Sequence, residues 1–311
     1  MSGKAEFQIV DTTLRDGEQS AGIVFSEEEK INMATNLDRA GVRWIEAGTP
    51  AMGKKEQKTM KLLLKLPLQA TLIAWNRAQL EDIQKSIACG FSCIHVSLPI
   101  SDLNISYKFK KDREWVIQKL KTALQLIKSY GCSIIVGAED ASRADPEFFL
   151  RFADTAAEFG AMRIRFSDTV GCLDPFVTFD SLKDLVNRCS IPIEFHGHND
   201  FGMATANTLS AFQAGAKFAS TTLSGIGERA GNASLEEVAA ALENLYNHSS
   251  EINLKDLPLL NNLVMQASNR KPFPYKPIVG GINKEIYYKN DLNRNNLQNV
   301  IKLDRDMLCC S

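Results

Sequence analysis

The sequence alternates between short apolar runs and longer amphipathic runs. The short runs are rich in β-branched and aromatic residues and predict strands near residues 7–11, 43–47, 70–75, 92–97, 133–138, 162–167, 191–196 and 217–222. The longer runs carry helical periodicity, near residues 26–40, 53–65, 77–88, 112–130, 145–159, 176–189, 203–214 and 234–247. Strict alternation of strand and helix predicts a parallel sheet with right-handed crossovers. Eight such units predict an α/β fold, the (β/α)8 TIM barrel.

The ends of the helical runs carry matching start and stop signals. Ser26 precedes three glutamates, and Asp145 and Asp174 each precede a proline, which is typical of helix N-termini. Glycines suited to left-handed helix ends follow the patterns at Gly41, Gly90, Gly131, Gly160 and Gly215. A doubly wound open sheet is the competing architecture, but no G-x-G-x-x-G motif opens the first helix. The barrel is therefore the preferred prediction.

The strand and helix rhythm ends near residue 250, which predicts two parts. Residues 1–250 are expected to form the catalytic barrel. Residues 251–311 are expected to contain one more helix at 255–268, a proline-rich connector at 271–280 and a truncated tail. The barrel is thus predicted to carry a short C-terminal extension.

Composition narrows the classes of partner. Hydrophobic residues make up 44% of the 311 residues and the net charge is −1, which favours a large core and gives no sign of binding nucleic acid or an anionic membrane. No run of 18 apolar residues and no apolar leader is found, so we expect a cytoplasmic protein with reduced thiols. Seven cysteines lack zinc-finger spacing, and no role is predicted for the pair Cys309 and Cys310.

Polar clusters stand at the predicted carboxyl ends of the strands, where barrel enzymes place their active sites. The clusters begin at Asp11, Glu46, Glu139, Ser167, His196 and Gly225. His196 and His198 are two apart, so both face the barrel interior. With the carboxylate of Asp16 they predict a catalytic site for a divalent metal, with Mg, Mn, Zn and Fe left open. Asn232 is either a fourth ligand or a residue that caps its loop.

Other residues of these clusters are candidates for chemistry. Arg15 is expected to stabilise negative charge on a substrate oxygen, or to pair with Glu46 or Asp11. Glu139 is a candidate general base or a partner of one. Thr169 is expected to bond a substrate carboxylate, with a turn cap as the alternative. Gln19 and Glu46 complete the predicted substrate-binding set, and His95 is predicted to be a bonded core histidine.

Three motifs together resemble the DRE-TIM metallolyases, the family of isopropylmalate, citramalate and homocitrate synthases. They are Asp-Thr-Thr-Leu-Arg-Asp-Gly-Glu-Gln (11–19), His-Gly-His-Asn-Asp (196–200) and Gly-Glu-Arg-Ala-Gly-Asn (227–232). Segments at 46–53, 98–105 with 111–115, and 195–208 most resemble the nitrogen-fixation homocitrate synthases. The resemblance implies an acyltransferase that condenses acetyl-CoA with 2-oxoglutarate to (R)-homocitrate, used in building the nitrogenase iron–molybdenum cofactor. It also implies metal ligation by Asp16, His196, His198 and Asn232, and catalytic or substrate roles for Arg15, Glu139 and Thr169.

The sequence departs from the family pattern at three places. Asn104 stands where a histidine is expected, and Ser224 where an asparagine is usual. After residues 276–280 the family continues into a motif like His-Glu-Ser-Gly-Ile-His, which supplies a catalytic histidine, whereas the last histidine here is His248. The resemblance therefore implies a homodimer or a partner chain that supplies this histidine, as in a split enzyme. Another 2-oxo-acid acyltransferase, a related lyase and a non-catalytic barrel that binds 2-oxo acids remain alternatives.

Overall fold

Eight parallel strands close into a barrel in the computed structural model, which describes residues 7–271 and 273–280. Each strand pairs with the next, and β1 pairs with β8 through Val10 opposite Ser220. The strands are β1 (Gln8–Asp11), β2 (Trp44–Gly48), β3 (Thr71–Arg77), β4 (Cys93–Pro99), β5 (Ser133–Glu139), β6 (Arg163–Asp168), β7 (Ile193–Gly197) and β8 (Phe218–Thr221). The predicted (β/α)8 TIM barrel is confirmed.

A helix follows each strand and covers the outside of the barrel. The helices are α1 (Glu27–Arg39), α2 (Lys54–Leu63), α3 (Leu80–Cys89), α4 (Arg113–Ser129), α5 (Pro146–Glu158), α6 (Pro175–Arg188), α7 (Ala204–Ala214) and α8 (Leu235–Tyr246). The predicted N-caps are confirmed, because the side chains of Ser26, Asp145 and Asp174 accept hydrogen bonds from backbone amides of the first helical turns. Ser26 and Glu29 form a complete capping box.

The segment after β4 forms two short turns for which the sequence predicted no element. A short helical turn, Asp102–Asn104, runs into a π-turn, Ile105–Phe109, which ends at Lys110 in a left-handed conformation. The sequence pattern gave no sign of this segment, because a single wide turn has no apolar repeat. It carries Asn104 and Lys108 over the β4–β5 edge of the barrel.

A further helix, α9 (Leu257–Ala267), lies where the additional helix was predicted at 255–268. It buries Leu257, Leu260 and Val264 in the main core. The tail at 281–311, including Cys309 and Cys310, lies outside the described residues, and the division at residue 250 stays a prediction. Within the described residues no helix is long and apolar enough to cross a bilayer.

The barrel interior is layered from its amino-terminal floor to its mouth. At the floor a small apolar cluster of Val10, Ile73, Cys93 and Ile135 packs beside Trp44 and Phe218. The main core lies outside the strands, against the helices. Above the floor the inward positions of β2, β4, β6 and β7 are charged or polar, so the layer that supports the mouth is ionic.

Candidate active site at the carboxyl ends of the strands

Asp16, His196 and His198 converge at the barrel mouth. Asp16 follows β1 in a short 3-10 turn, His196 lies near the end of β7, and His198 is two residues further. The Asp16 Oδ2 atom lies 3.0 Å from His196 Nε2, which lies 3.3 Å from His198 Nε2. All three side chains are buried, and their ligand atoms lie within 4.8 Å of one another. The spacing fits one small cation.

The pKa shifts of His198 and Asp16 also fit a cation. Burial, helped by the nearby His196, lowers the pKa of His198 to about 4, so its imidazole is neutral at pH 7. Burial alone would raise the pKa of Asp16, but Arg15, His196 and His198 hold it well below its usual range. A carboxylate and neutral imidazoles are ligands for a divalent metal. The Asp16 Oδ2 atom also has no aligned hydrogen bond despite its burial, which a metal ion would remedy.

Asn232 offers one free oxygen in the same region. Its Nδ2 group donates to the Ile226 carbonyl at 3.0 Å, while its Oδ1 is buried without a partner. Its backbone pairs with that of His198 in an isolated antiparallel bridge. The Asn232 amide is thus oriented by its own loop, as the capping alternative predicted. Its Oδ1 atom is still available to bind a metal ion.

Arg15 lies beside the cluster of Asp16, His196 and His198, and its side chain is fixed by Glu46 and Trp75. Its Nε donates to Glu46 Oε2 at 2.6 Å, and its guanidinium lies over the Trp75 ring at 5.3 Å. Its Nη1 is 3.5 Å from Asp16 Oδ1. The pairing of Arg15 with Glu46 that the sequence offered as an alternative is present, and it uses Nε rather than the terminal nitrogens.

Glu46 is fully buried and surrounded by donors. His95 Nδ1 lies 2.6 Å from Glu46 Oε1, and Arg165 donates to both carboxylate oxygens at 3.0 and 3.3 Å. Burial alone would raise the pKa of Glu46, but Arg15, Arg165 and His95 hold it well below its usual range. His95 is itself buried, as predicted, and burial lowers its pKa to about 4, so it is neutral and donates from Nδ1.

Sequence reasoning missed the arginines of β6 and the glutamate of β7. Arg165 Nε and Arg163 Nε donate to the two oxygens of Glu194 at 2.6 and 2.5 Å. The Arg163 guanidinium lies between the rings of Trp44 and Phe218, at 4.5 and 4.4 Å. The signal was available, because Arg163 and Arg165 share one face of β6, and Glu194 shares the face of His196 on β7.

The remaining predicted residues lie around the rim of the mouth. Glu139 is partly exposed and accepts a hydrogen bond from Lys108 at 2.7 Å. The Thr169 hydroxyl accepts from the Asp140 amide at 2.8 Å, which leaves its proton free to be donated. Gln19 is exposed and lines a small cavity beside Arg15. The structure thus separates Glu139, Thr169 and Gln19, on the rim, from the deeply buried Glu46.

Arg229 ties three loops of the mouth together. Its Nε and Nη2 bond the two oxygens of Asp200 at 2.7 and 2.8 Å, and Nη2 also donates to the Thr169 carbonyl at 2.8 Å. These contacts join the loops after β6, β7 and β8. His198 and Asn232 lie two and three residues from the two ends of this contact. Asp200 and Arg229 stand in two of the quoted motifs, 196–200 and 227–232, but the sequence did not show that they pair.

Comparison with known proteins places the chain in a family. The HMGL-like family model matches residues 6–264. The chain belongs to the HMGL-like family. This membership confirms the predicted resemblance to the DRE-TIM metallolyases.

Relatives of this HMGL-like chain are synthases. It is 47% identical over 272 residues to 2-isopropylmalate synthase 2 of Caldanaerobacter subterraneus subsp. tengcongensis, covering 88% of this chain and 71% of the relative. It is 48% identical to homocitrate synthase 1 of Nostoc sp., covering 88% and 72%. It is 44% identical to homocitrate synthase subunit alpha of Clostridium pasteurianum, covering 76% and 88%.

Among solved structures, the fold is similar to that of the HMG-CoA lyase of Bacillus subtilis. The TM-score is 0.78 at 19% identity, with 91% of this chain and all of that chain covered. At this identity the likeness concerns the fold alone.

Proposed function

We propose that the chain is the barrel of a divalent-metal-dependent acyltransferase, a homocitrate synthase that condenses acetyl-CoA with 2-oxoglutarate. The product is (R)-homocitrate for the nitrogenase iron–molybdenum cofactor. The observation that carries the proposal is the cluster of Asp16, His196 and His198 beside the free end of Arg15. The two relatives named homocitrate synthase support this choice of substrate, and the relative named 2-isopropylmalate synthase, at 47% identity, makes 2-oxoisovalerate the alternative.

In this proposal Asp16, His196, His198 and Asn232 hold the metal. When bound, the metal supplies a Lewis acid that polarises the keto group of a 2-oxo acid. The terminal nitrogens of Arg15 donate to the keto oxygen as it gains negative charge. The Thr169 hydroxyl donates to a substrate carboxylate, and Gln19 lies at the same opening.

The chemistry also needs a base that removes a proton from the methyl group of acetyl-CoA. The resulting enolate carbon bonds to the keto carbon, the keto oxygen gains a proton, and water then cleaves the thioester to release coenzyme A. Glu139 is the base proposed from this chain, with Lys108 as its present partner. A second source of the base is the histidine that the family resemblance assigns to a partner.

We further propose that a separate polypeptide covers the mouth of the barrel and completes the part of the site that acts on acetyl-CoA. A relative named as a subunit alpha supports a split enzyme. Exposed apolar side chains also stand on the segments that follow the carboxyl ends of the strands, with Phe176 in the first turn of α6: Val24, Met52, Leu103, Tyr107, Phe176 and Phe201. Several exposed apolar side chains at one end of a barrel favour an interaction surface there. A second copy of the chain is the other occupant that light scattering would reveal.

The test measures release of coenzyme A with Mn²⁺ or Mg²⁺ and a panel of 2-oxoglutarate, pyruvate and 2-oxoisovalerate. It is run on the chain alone and with a candidate partner from the source cell. We expect 2-oxoglutarate to give homocitrate, confirmed by mass spectrometry. Preference for 2-oxoisovalerate or pyruvate would instead favour isopropylmalate or citramalate synthase. Metal-dependent binding of a 2-oxo acid without turnover under any pairing would favour a non-catalytic barrel.

A further inference from the structure

A continuous line of alternating charges runs through the barrel interior beneath the proposed metal site. Its members, from mouth to floor, are Arg15, Glu46, Arg165, Glu194 and Arg163. All are buried. We call this set the interior ion chain. Only Arg15 reaches the proposed metal ligands, so the other members act on the site through it.

The ion chain braces opposite walls of the barrel. Glu46 lies on β2 and Arg165 on β6, four strands apart in the closed order. The Arg165 side chain therefore crosses the interior to reach Glu46. Its Nε also donates to Glu194, and Glu194 is fixed in turn by Arg163 and by the Ser220 hydroxyl, which donates to it at 2.6 Å. Both ends of this crossing are anchored.

Glu46 is fixed in one orientation by this brace. Arg165 contacts both of its oxygens, and His95 Nδ1 contacts Oε1 at 2.6 Å, which leaves Oε2 facing Arg15 Nε. The Glu46 side chain has no exposed surface with which to meet a substrate. A carboxylate would also repel the carboxylate of a 2-oxo acid.

The bond to Nε has a consequence for the free end of Arg15. A guanidinium has five N–H donors, and the use of Nε leaves the two terminal nitrogens available. One of them already lies 3.5 Å from Asp16. Trp75 supports one face of the guanidinium, so its plane is restricted as well.

We infer that Glu46 is a positioning residue, held by His95 and Arg165, that aims the terminal nitrogens of Arg15 at the substrate. This role replaces the substrate contact expected for Glu46 from the sequence. The inference rests on the proposed function for the identity of the substrate. The geometry of the brace is independent of which 2-oxo acid binds.

A double-mutant cycle tests the inference, with Glu46→Gln and Arg15→Ala alone and combined. Arg15→Ala should lower kcat about 100- to 1000-fold, as removal of an oxyanion donor does. Glu46→Gln should lower it about 10- to 100-fold by misplacing Arg15. In the Arg15→Ala background Glu46→Gln should have no further effect, because residues that act as one unit are not additive. If Glu46→Gln lowers kcat as much in the Arg15→Ala background as in the wild type, the inference is overturned.

Two further measurements distinguish a positioning role of Glu46 from general damage to the site. Mn²⁺ affinity, measured by calorimetry, should be unchanged in Glu46→Gln, because no proposed ligand is altered; a large loss would indicate collapse of the site and overturn the positioning role. His95→Asn keeps a donor near the Nδ1 position and should stay closer to wild type than His95→Leu, which keeps none. Equal loss in both variants would also contradict the inference.

The cycle remains informative if the proposed function fails. Without turnover, it is read from the dissociation constant of 2-oxoglutarate, pyruvate or 2-oxoisovalerate in the presence of Mn²⁺. If none of these binds, crystal structures of the wild type and Glu46→Gln are compared. We then expect the Arg15 guanidinium to leave its place beside Asp16, and an unmoved guanidinium overturns the inference.

Discussion

Replacing Gly137 by alanine adds one carbon, which should disturb the layer of buried polar side chains beneath the candidate active site. Gly137 lies in β5, and its φ is not positive, so alanine brings no backbone strain. A Cβ at this position would lie 2.5 Å from His95 Nε2 and 2.9 Å from Ser97 Oγ. The His95 ring is fully enclosed and fixed by Glu46 on its other side, so it cannot yield without breaking that bond.

The cost follows from two contributions. Overpacking of an interior costs about 1–3 kcal/mol, and the loss of a hydrogen bond to a charged group costs roughly 1.5–3 kcal/mol. Glycine-to-alanine replacement returns about 0.4–1 kcal/mol by restricting the unfolded chain. We therefore expect a loss of roughly 2–5 kcal/mol in the free energy of unfolding, measured by urea denaturation followed by circular dichroism.

The control for Gly137→Ala is the same change in a His95→Ala background. Removal of the ring makes room for most of the added carbon, so the cost should fall by at least half. Coupling of this kind is expected for residues in contact. If Gly137→Ala costs the same in both backgrounds, the steric reasoning is wrong.

Three further predictions concern pH, metal and loop order. Burial raises the pKa of Asp11 to about 7, so the folded protein keeps a proton that the unfolded chain releases above pH 4. The contribution of this group to the free energy of unfolding is therefore complete below about pH 4 and is lost as pH rises through 7. The loss amounts to up to about 4 kcal/mol, and Asp11→Asn should remove it. Saturating Mn²⁺ at about 100 times its dissociation constant should stabilise the wild type by about 2.7 kcal/mol, and His196→Ala should abolish this stabilisation in thermal scans. Arg229→Lys cannot reproduce the two-pronged bond to Asp200 and should weaken Mn²⁺ binding about 10-fold in calorimetry.

Each of these three predictions has its own control or contradicting result. Parallel stability curves for Asp11→Asn and wild type between pH 4 and 7 would refute the first. His248→Gln alters a histidine that bonds the Phe7 amide and should keep the response to Mn²⁺. Arg151→Lys removes a similar bidentate pair, with Glu114, on the exposed helical surface. If it weakens Mn²⁺ binding as much as Arg229→Lys does, the loop argument is wrong.

The barrel could be predicted because the sequence signals for its strands and helices involve residues that are close together in the chain. Apolar runs of strand length, the capping residues at Ser26, Asp145 and Asp174, and the glycines after the helices are all read from neighbouring positions. The metal-capable cluster was predictable for a related reason. His196 and His198 share a face by period two, and barrel strands bring their carboxyl ends together.

Apart from the Arg15–Glu46 pair, which the sequence offered as an alternative, the interior ion chain was not predicted, because it depends on distant pairs. Arg165 and Glu46 are 119 positions apart and meet only when the barrel closes. The period-two alternation places Arg163 and Arg165 on one face of β6, but it does not show which distant residue each of them pairs with. The turn at Ile105–Phe109 was missed because its form follows from hydrogen bonding within one irregular segment, such as the Ser101 cap on Asn104.

The alternation of charge through the barrel also constrains how this sequence can change over time. Loss of Glu194 would leave Arg163 and Arg165 without their shared acceptor, and an unpaired buried charge is strongly destabilising. A neutral residue at one link therefore costs least when a neighbouring link is neutralised in the same lineage. Substitutions at these positions should be inherited as matched pairs, and engineers who alter the pocket should exchange them in pairs too.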